Sequence, residues 1–397
     1  MELRDPEFAS TYEANQAMNM MENQEIPGHM VGRTFAKFDV MLPAPFLTFA
    51  AIGFPQRLRI AIMHVGAPAG GMNAASRTIA RLCLNRGHTP LAIRNGVPGL
   101  IAGDVTPLKW LEVESWMTKG GCELGTNRAQ PDMDIGMCAY QLQRHNISGL
   151  VVIGGFEAFT AVVQLEKARP SYPSLCIPMI VLPATVSNNV PGTEYSVGSD
   201  TALNAIVESC DRIKQSATAS RRRVFVVETQ GGRCGYLATL AGLAVCSPVD
   251  VFFFSKISNQ AGATSIYIPE EGLSLRRLQN DIAHLVKRYS TEPPGNSEGR
   301  IILRCENTSH TYTTEIVTNI IKEEGRGLFD ARTAVLGHTQ QGGTPSPLDR
   351  VRAARLAVRS VNWIEQQIWG NKVEKSRPEV HTRRGSVYLR STSCPSV

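Results

Sequence analysis

At 397 residues, 43% of them hydrophobic and 19% charged, the chain has the composition of an ordinary globular protein and is long enough for one large core or two smaller ones. The formal charge of +6 is modest, and the basic residues are scattered apart from Arg221-Arg222-Arg223 and the tail beyond Lys372, so nucleic acid is not an expected partner. Nine cysteines without a CxxC pair fit neither a disulfide framework nor a zinc site, and the opening Glu2, Arg4, Asp5 and Glu7 is no signal peptide, so a reducing, cytoplasmic location is expected.

Residues 1–56 read as an N-terminal linker, partly disordered. Within them, 40–55 is apolar, but it contains Pro43, Pro45 and Pro55 and falls short of the ~20 residues of a membrane span, so no membrane partner is expected. From Arg57 onward, β-rich runs alternate with helical ones, the pattern of βαβ units. Residues 58–65 predict a strand, 72–85 a helix, 91–94 a strand, 149–153 a strand, 156–169 a helix and 178–182 a buried strand. A helix over 199–215 carries Leu203, Ile206, Cys210 and Ile213 as its apolar stripe, and its N-terminus is expected to point to the Thr185 loop and favour an anion. Strands at 223–228, 301–304 and 333–336 and helices at 235–245 and 314–323 continue the alternation. The last helix starts at Ser346 as N-cap with Pro347 in first position, and Val351, Ala354, Val358, Val361 and Ile368 are expected on its buried face. The predicted class is α/β with two lobes, each a mainly parallel sheet flanked by helices: 57–197 plus 340–371 as the larger lobe and 198–339 as the smaller.

The chemistry concentrates in the turns after strands, where ligands of open α/β sheets bind. The loop Thr185-Val186-Ser187-Asn188-Asn189-Val190-Pro191-Gly192-Thr193 is densely polar, yet no acidic residue lies between Ile180 and Glu194. Phosphoryl transfer to a hydroxyl needs a proton acceptor and Mg²⁺, both usually served by carboxylates. The loop therefore reads as holding an anionic sugar and as poorly equipped to phosphorylate one. The Gly66 to Ala75 turn suits either tight packing or a backbone approach to phosphate, while Gly154-Gly155-Phe156-Glu157 reads better as a plain turn. Arg128, Arg223 and Arg332 are candidate phosphate forks, although a single arginine is more often a solvated charge. Gln230-Gly231-Gly232 and His338-Thr339-Gln340-Gln341 pair amide or imidazole groups with glycines, and Glu306 suits sugar hydroxyls, or else is an exposed loop acid.

Gly71-Met72-Asn73-Ala74-Ala75, Gly154 to Phe159, Thr185 to Ser196, Glu228-Thr229-Gln230-Gly231-Gly232 and Leu336 to Gly343 occur in the order found in ATP-dependent 6-phosphofructokinases, and the chain resembles that family over about 57–370. More narrowly, it is similar to the C-terminal half of the duplicated eukaryotic enzyme, in a fungal version. In active halves the loop matching 185–189 reads Thr-Ile-Asp-Asn-Asp, so Ser187 and Asn189 stand at two aspartate positions, and Phe156 stands at that of a Mg²⁺-serving aspartate. The resemblance implies a sugar-bisphosphate site for the activator fructose 2,6-bisphosphate formed by Arg128, Thr185, Ser187, Asn188, Asn189, Arg223, Gln230, Gly231, Gly232, Glu306, Arg332, His338 and Gln341. It also implies a degenerate nucleotide site at Gly66, Gly154, Gly155 and Phe156. Arg223 and Arg332 would reach across from a neighbouring half. No cofactor or metal is expected on this half. ATP and Mg²⁺ belong to the complete enzyme, whose catalytic half and other subunits are the expected partners. Relatives lack 246–261, which reads as an insertion of the kind a retained intron leaves, and 372–397 is a divergent tail.

Overall fold

The computed structural model describes residues 57–220, 222–245, 265–291, 299–325, 327–341 and 343–370, and the backbone of 380–383 and 386–389. The expectations for 1–56, for the 246–261 insertion and for most of the tail lie outside these residues.

The first half of the chain builds the larger sheet. In chain order it contains β1 (Arg59–Val65), α1 (Met72–Asn85), β2 (Thr89–Ile93), α2 (Gly96–Ala102), β3 (Val105–Pro107), α3 (Ile135–Arg144), β4 (Gly149–Gly154), α4 (Phe156–Lys167) and β5 (Met179–Pro183). Strands β1, β4 and β5 are apolar at almost every position and buried on both faces, as central parallel strands must be when helices cover both sides. The second half supplies α5 (Ser199–Ala219), β6 (Arg223–Thr229), α6 (Tyr236–Val245), β7 (Ile266–Tyr267), α7 (Leu275–Thr291), β8 (Arg300–Cys305), α8 (Thr314–Glu324), β9 (Asp330–Val335) and α9 (Pro347–Gly370). Strands β10 (Val380–Arg383) and β11 (Ser386–Leu389) follow.

The larger sheet runs β10-β11-β5-β4-β1-β2-β3 and the smaller β7-β8-β6-β9. Strands β2, β1, β4 and β5 are parallel, with Ile62 opposite Val151 and Val151 opposite Ile180, and antiparallel strands close both edges. All four strands of the smaller sheet are parallel. Part of the divergent tail thus completes an edge, with β11 pairing to β5. One apolar cluster joins Ile62, Val151 and Ile180 of the larger sheet to Val227 and Leu303 of the smaller through Ile206 and Cys210 of α5. None of the described helices is long and apolar enough to cross a membrane.

Helix α9 corrects two expectations through one residue. Asp349 is fully buried, and its Oδ2 accepts from the Thr201 amide at 2.7 Å and the Thr201 hydroxyl at 2.5 Å, while Ser346 caps α9 by accepting from the Asp349 amide at 3.2 Å and donates to Asp200 at 2.5 Å. The positive end of α5 is therefore occupied by the chain's own carboxylates and is not left for a bound anion. Burial raises the Asp349 carboxyl above its ordinary range. With Asp349 turned inward, positions 4, 7, 8, 11 and 15 further on share its face, and Ala353, Leu356, Ala357, Ser360 and Ile364 are buried. The expected face is rotated away: Val361 is buried, but Val351 is 53% exposed and Ala354, Val358 and Ile368 are half-buried.

His64 on β1 is fully buried between Cys122 Sγ and Ser76 Oγ, each 2.7 Å from a ring nitrogen. Burial lowers its pKa from 6.5 to about 3 and pushes the Cys122 thiol up to about 12, so the pair is a thiol and a neutral imidazole, without the thiolate that nucleophilic chemistry requires. The unfolded chain takes up a proton near pH 6.5 that the folded site refuses until about pH 3. The contribution is complete above 6.5 and is lost as the pH falls towards 3, by up to ~1.4 kcal/mol per unit. Urea unfolding at pH 7, 6, 5 and 4 is expected to show this slope in the parent and a shallower one in His64→Gln; equal slopes would refute the assignment.

Candidate functional site

Three turns of the larger sheet meet at the carboxyl ends of β1, β4 and β5. Gly66 has φ +104°, and its N–H donates to the Asn127 carbonyl at 2.9 Å while its carbonyl accepts from the Thr126 hydroxyl at 2.8 Å. Both polar groups of this peptide are thus used internally, which favours the packing reading over the phosphate one. At Gly154 a Cβ would lie 1.8 Å from the Val65 carbonyl oxygen, so the strands approach too closely for any side chain, and at Gly155 a Cβ would lie 3.0 Å from the Thr185 Cβ. Phe156, the first residue of α4, is 51% exposed and lies beside Phe159 with ring centroids 6.4 Å apart. Glu157 turns into the site: Oε2 is 3.1 Å from where a Gly66 Cβ would stand, and Oε1 is 3.9 Å from Arg128 Nε. Arg128 is otherwise exposed.

The 185–189 loop is braced from within. Thr185 is buried, its amide bonds to the Val197 carbonyl at 2.9 Å, and its hydroxyl accepts from the Ser187 amide at 3.3 Å. Asn188 sits at φ +53°, a conformation that asparagine tolerates. Its Nδ2 donates to the Glu194 carbonyl at 3.0 Å, and its Oδ1 accepts from the Ser196 amide at 2.6 Å. Asn188 therefore shapes the loop. Asn189 is exposed, and Ser187 faces the other lobe, its Oγ 3.7 Å from the position of a Gly232 Cβ.

On that other lobe the turns after β6, β8 and β9 form a second cluster. Gln341 Nε2 donates to Gln230 Oε1 at 2.7 Å, and His338 Nδ1 lies 3.2 Å from Gln341 Oε1 and 3.4 Å from Gln230 Nε2. The buried Gln340, part of the motif read from the sequence but not among its expected ligand residues, accepts from the Gln230 amide at 3.2 Å. Glu306 is half-buried, and its Oε1 accepts from the Gly231 and Gly232 amides at 3.3 and 2.9 Å. Instead of a free loop acid, it fixes the glycine turn that faces Ser187.

Arg304, at the end of β8, supports this cluster from beneath and was also missed, because a strand-terminal arginine after an apolar run reads as solvated. Its side chain is 2% exposed. Nη1 donates to Glu228 Oε2 at 3.1 Å, Thr314 Oγ1 at 3.0 Å and the Glu306 carbonyl at 3.2 Å; Nη2 donates to the Ser309 carbonyl at 3.0 Å and Nε to the Tyr312 carbonyl at 3.2 Å. Thr314 Oγ1 also donates to Glu228 Oε2. Burial disfavours the cation, and Glu228 offsets this.

Arg223 and Arg332 do not join the cleft. Arg223 opens β6 and Gln230 follows its far end, seven strand residues or roughly 20 Å away. Arg332 stands opposite Phe225, towards the same end. Within this chain both lie away from the groups with which they were expected to share a ligand. Among the described residues, no three His, Cys, Asp or Glu side chains gather as a metal site.

Two mainly parallel sheets with facing carboxyl-end turns define a phosphofructokinase-type α/β protein. Residues 59–364 match the phosphofructokinase family, and the chain belongs to it. It is 52% identical over 332 residues to the ATP-dependent 6-phosphofructokinase of Aspergillus fumigatus, covering 82% of this chain and 38% of that protein. It is 51% identical over 313 residues to the ATP-dependent 6-phosphofructokinase subunit beta of Komagataella pastoris, covering 78% and 32%. The crystal structure of Pichia pastoris phosphofructokinase in the T-state superposes with a TM-score of 0.71 at 51% identity, over 78% of this chain and 34% of the other. The Saccharomyces cerevisiae structure superposes with a TM-score of 0.76 at 43% identity, over 86% and 44%. The chain thus spans less than half the length of these relatives.

Replacing Arg304 by methionine leaves Glu228 and three carbonyls without their cation. A loss of about 3 kcal/mol is expected, the low end for a broken buried pair because Glu228 is still 24% exposed. Urea unfolding checks this; a loss below ~1 kcal/mol would show that water replaces the guanidinium.

Proposed function

We propose that this chain is the C-terminal, regulatory half of a fungal ATP-dependent 6-phosphofructokinase, and that its cleft binds fructose 2,6-bisphosphate without phosphorylating a sugar. One observation carries the reading. Ser187 faces the Gly231-Gly232 turn across the cleft, beside an assembled cluster of amides and imidazole, while the 185–189 loop offers no carboxylate. Amides, a hydroxyl and a histidine suit sugar hydroxyls and phosphate oxygens. Removing a proton from a sugar hydroxyl requires a base, and Ser187 stands where one would be needed.

The residues do not fit Mg²⁺–ATP. An exposed phenylalanine occupies the position of the metal-serving acid, the Gly66 N–H is engaged by Asn127, and Glu157 places negative charge beside that turn. ATP and Mg²⁺ belong to the catalytic half, and the activator acts here by population shift, favouring the arrangement in which paired halves are competent. Subunits of the same enzyme are the partners, and the cytoplasm is the compartment. Glu157 is the residue on which a rival reading, turnover by this chain itself, would rest; a ligand-free scaffold is the third.

Calorimetry on the full chain is expected to show fructose 2,6-bisphosphate binding, weakened about 10-fold by His338→Ala or Gln230→Ala, one lost polar contact each. A coupled assay with ATP, Mg²⁺ and fructose 6-phosphate is expected to show no turnover. Turnover abolished by Glu157→Gln would establish the rival, and a folded chain that binds no sugar bisphosphate would establish the scaffold.

A further inference from the structure

The amino end of the smaller sheet carries a charge arrangement that the cleft does not explain. Parallel register sets Arg223 beside Asp330, with Arg332 two residues further along β9. Asp330 Oδ2 accepts from Arg332 Nε at 3.0 Å and lies at ion-pair distance, 3.9 Å, from Arg223 Nε, a buried donor with no hydrogen-bond partner among the described residues, so one carboxylate faces two guanidinium groups. Arg223 is held on a second side, its Nη1 donating to Ser220 Oγ at 2.9 Å. Both approaches to Asp330 use Nε, which leaves the Nη pairs that match phosphate oxygens unspent on it. The side chains are 30% exposed at Arg223, 35% at Asp330 and 59% at Arg332, so the group faces outward from the sheet.

We propose that Asp330 is the positioning residue of this arginine pair, holding both guanidinium groups side by side for a phosphate dianion bound in a neighbouring subunit's pocket. The inference rests on the sugar-bisphosphate reading above. Two long cations on an exposed strand end repel one another and sample many rotamers, and a carboxylate between them counters both effects before the ligand arrives. Bringing a phosphate to arginines that are already ordered costs less than ordering them on arrival. The opposite role, an acid that merely repels the ligand, predicts the opposite sign on removal.

The test uses the full chain in two arms. By calorimetry, Asp330→Ala is expected to weaken fructose 2,6-bisphosphate binding about 10-fold, the effect of having to order two rotamer-rich side chains anew. Asp330→Asn, which keeps an oxygen acceptor, is expected to fall between this variant and the parent. Unchanged or tighter binding by Asp330→Ala overturns the proposal. The second arm needs no ligand: phenylglyoxal labelling read by mass spectrometry, with exposed Arg128 as the internal reference. Faster labelling of both Arg223 and Arg332 in Asp330→Ala is expected, and of Arg223 alone in Ser220→Ala. Unaltered labelling of the pair overturns the proposal even if the parent binds no sugar bisphosphate, an outcome that separately defeats the functional reading. Should Asp330→Ala not fold, the Asp330→Asn and Ser220→Ala labelling patterns decide.

Discussion

A single cation out of reach of water organises what the smaller lobe presents to the cleft. Residues 306–313 cross the carboxyl end of β8 without regular structure, and the carbonyls of Glu306, Ser309 and Tyr312 turn inward, where each needs a donor. Arg304 meets all three and still reaches Glu228 and Thr314, a task for five donors on one rigid plane that lysine cannot take over. Held in this way, the loop places Glu306 so that its carboxylate fixes the Gly231 and Gly232 amides, and this turn in turn faces Ser187. The order of dependence runs from a buried guanidinium through a loop to a glycine turn.

The acids of this chain show a related economy. Glu228 neutralises Arg304, Glu306 binds glycine amides, Asp349 occupies the end of α5, Asp330 sits between two arginines and Glu157 approaches Arg128. Each is engaged with the protein's own donors. The positions that touch the cleft without such a task, Phe156, Ser187 and Asn189, carry no charge. Among these residues negative charge sits where it builds structure.

Much of the architecture was legible because parallel strands buried on both faces read as unbroken apolar runs. The strands at β1, β4 and β5 and helix α1 fall where the pattern placed them. Helix α7 escaped notice although Leu278, Ile282, Leu285 and Tyr289 recur at helical spacing, because the charges between them lower the apparent apolarity. The rotation of α9 was not legible, since it is set by the long-range bond between Asp349 and Thr201. In the cleft, the turn residues were identified by type and position, but their tasks were not. Asn188 and Glu306 looked like ligand groups and proved to bind their own backbone, while Gln340 and Arg304 resembled ordinary polar residues until burial distinguished them.

The close passage of β4 beside β1 at Gly154 has a consequence for how such a protein diverges. Position 154 admits no side chain at all, whereas the neighbouring Phe156 points half into solvent, and Asn189 is likewise open. Scaffold and reactivity are thus written in separate residues: drift at the exposed positions leaves the strands undisturbed, and drift at the glycine does not. Exchanges at the exposed positions can alter the chemistry of the turns without the hydrophobic core registering them.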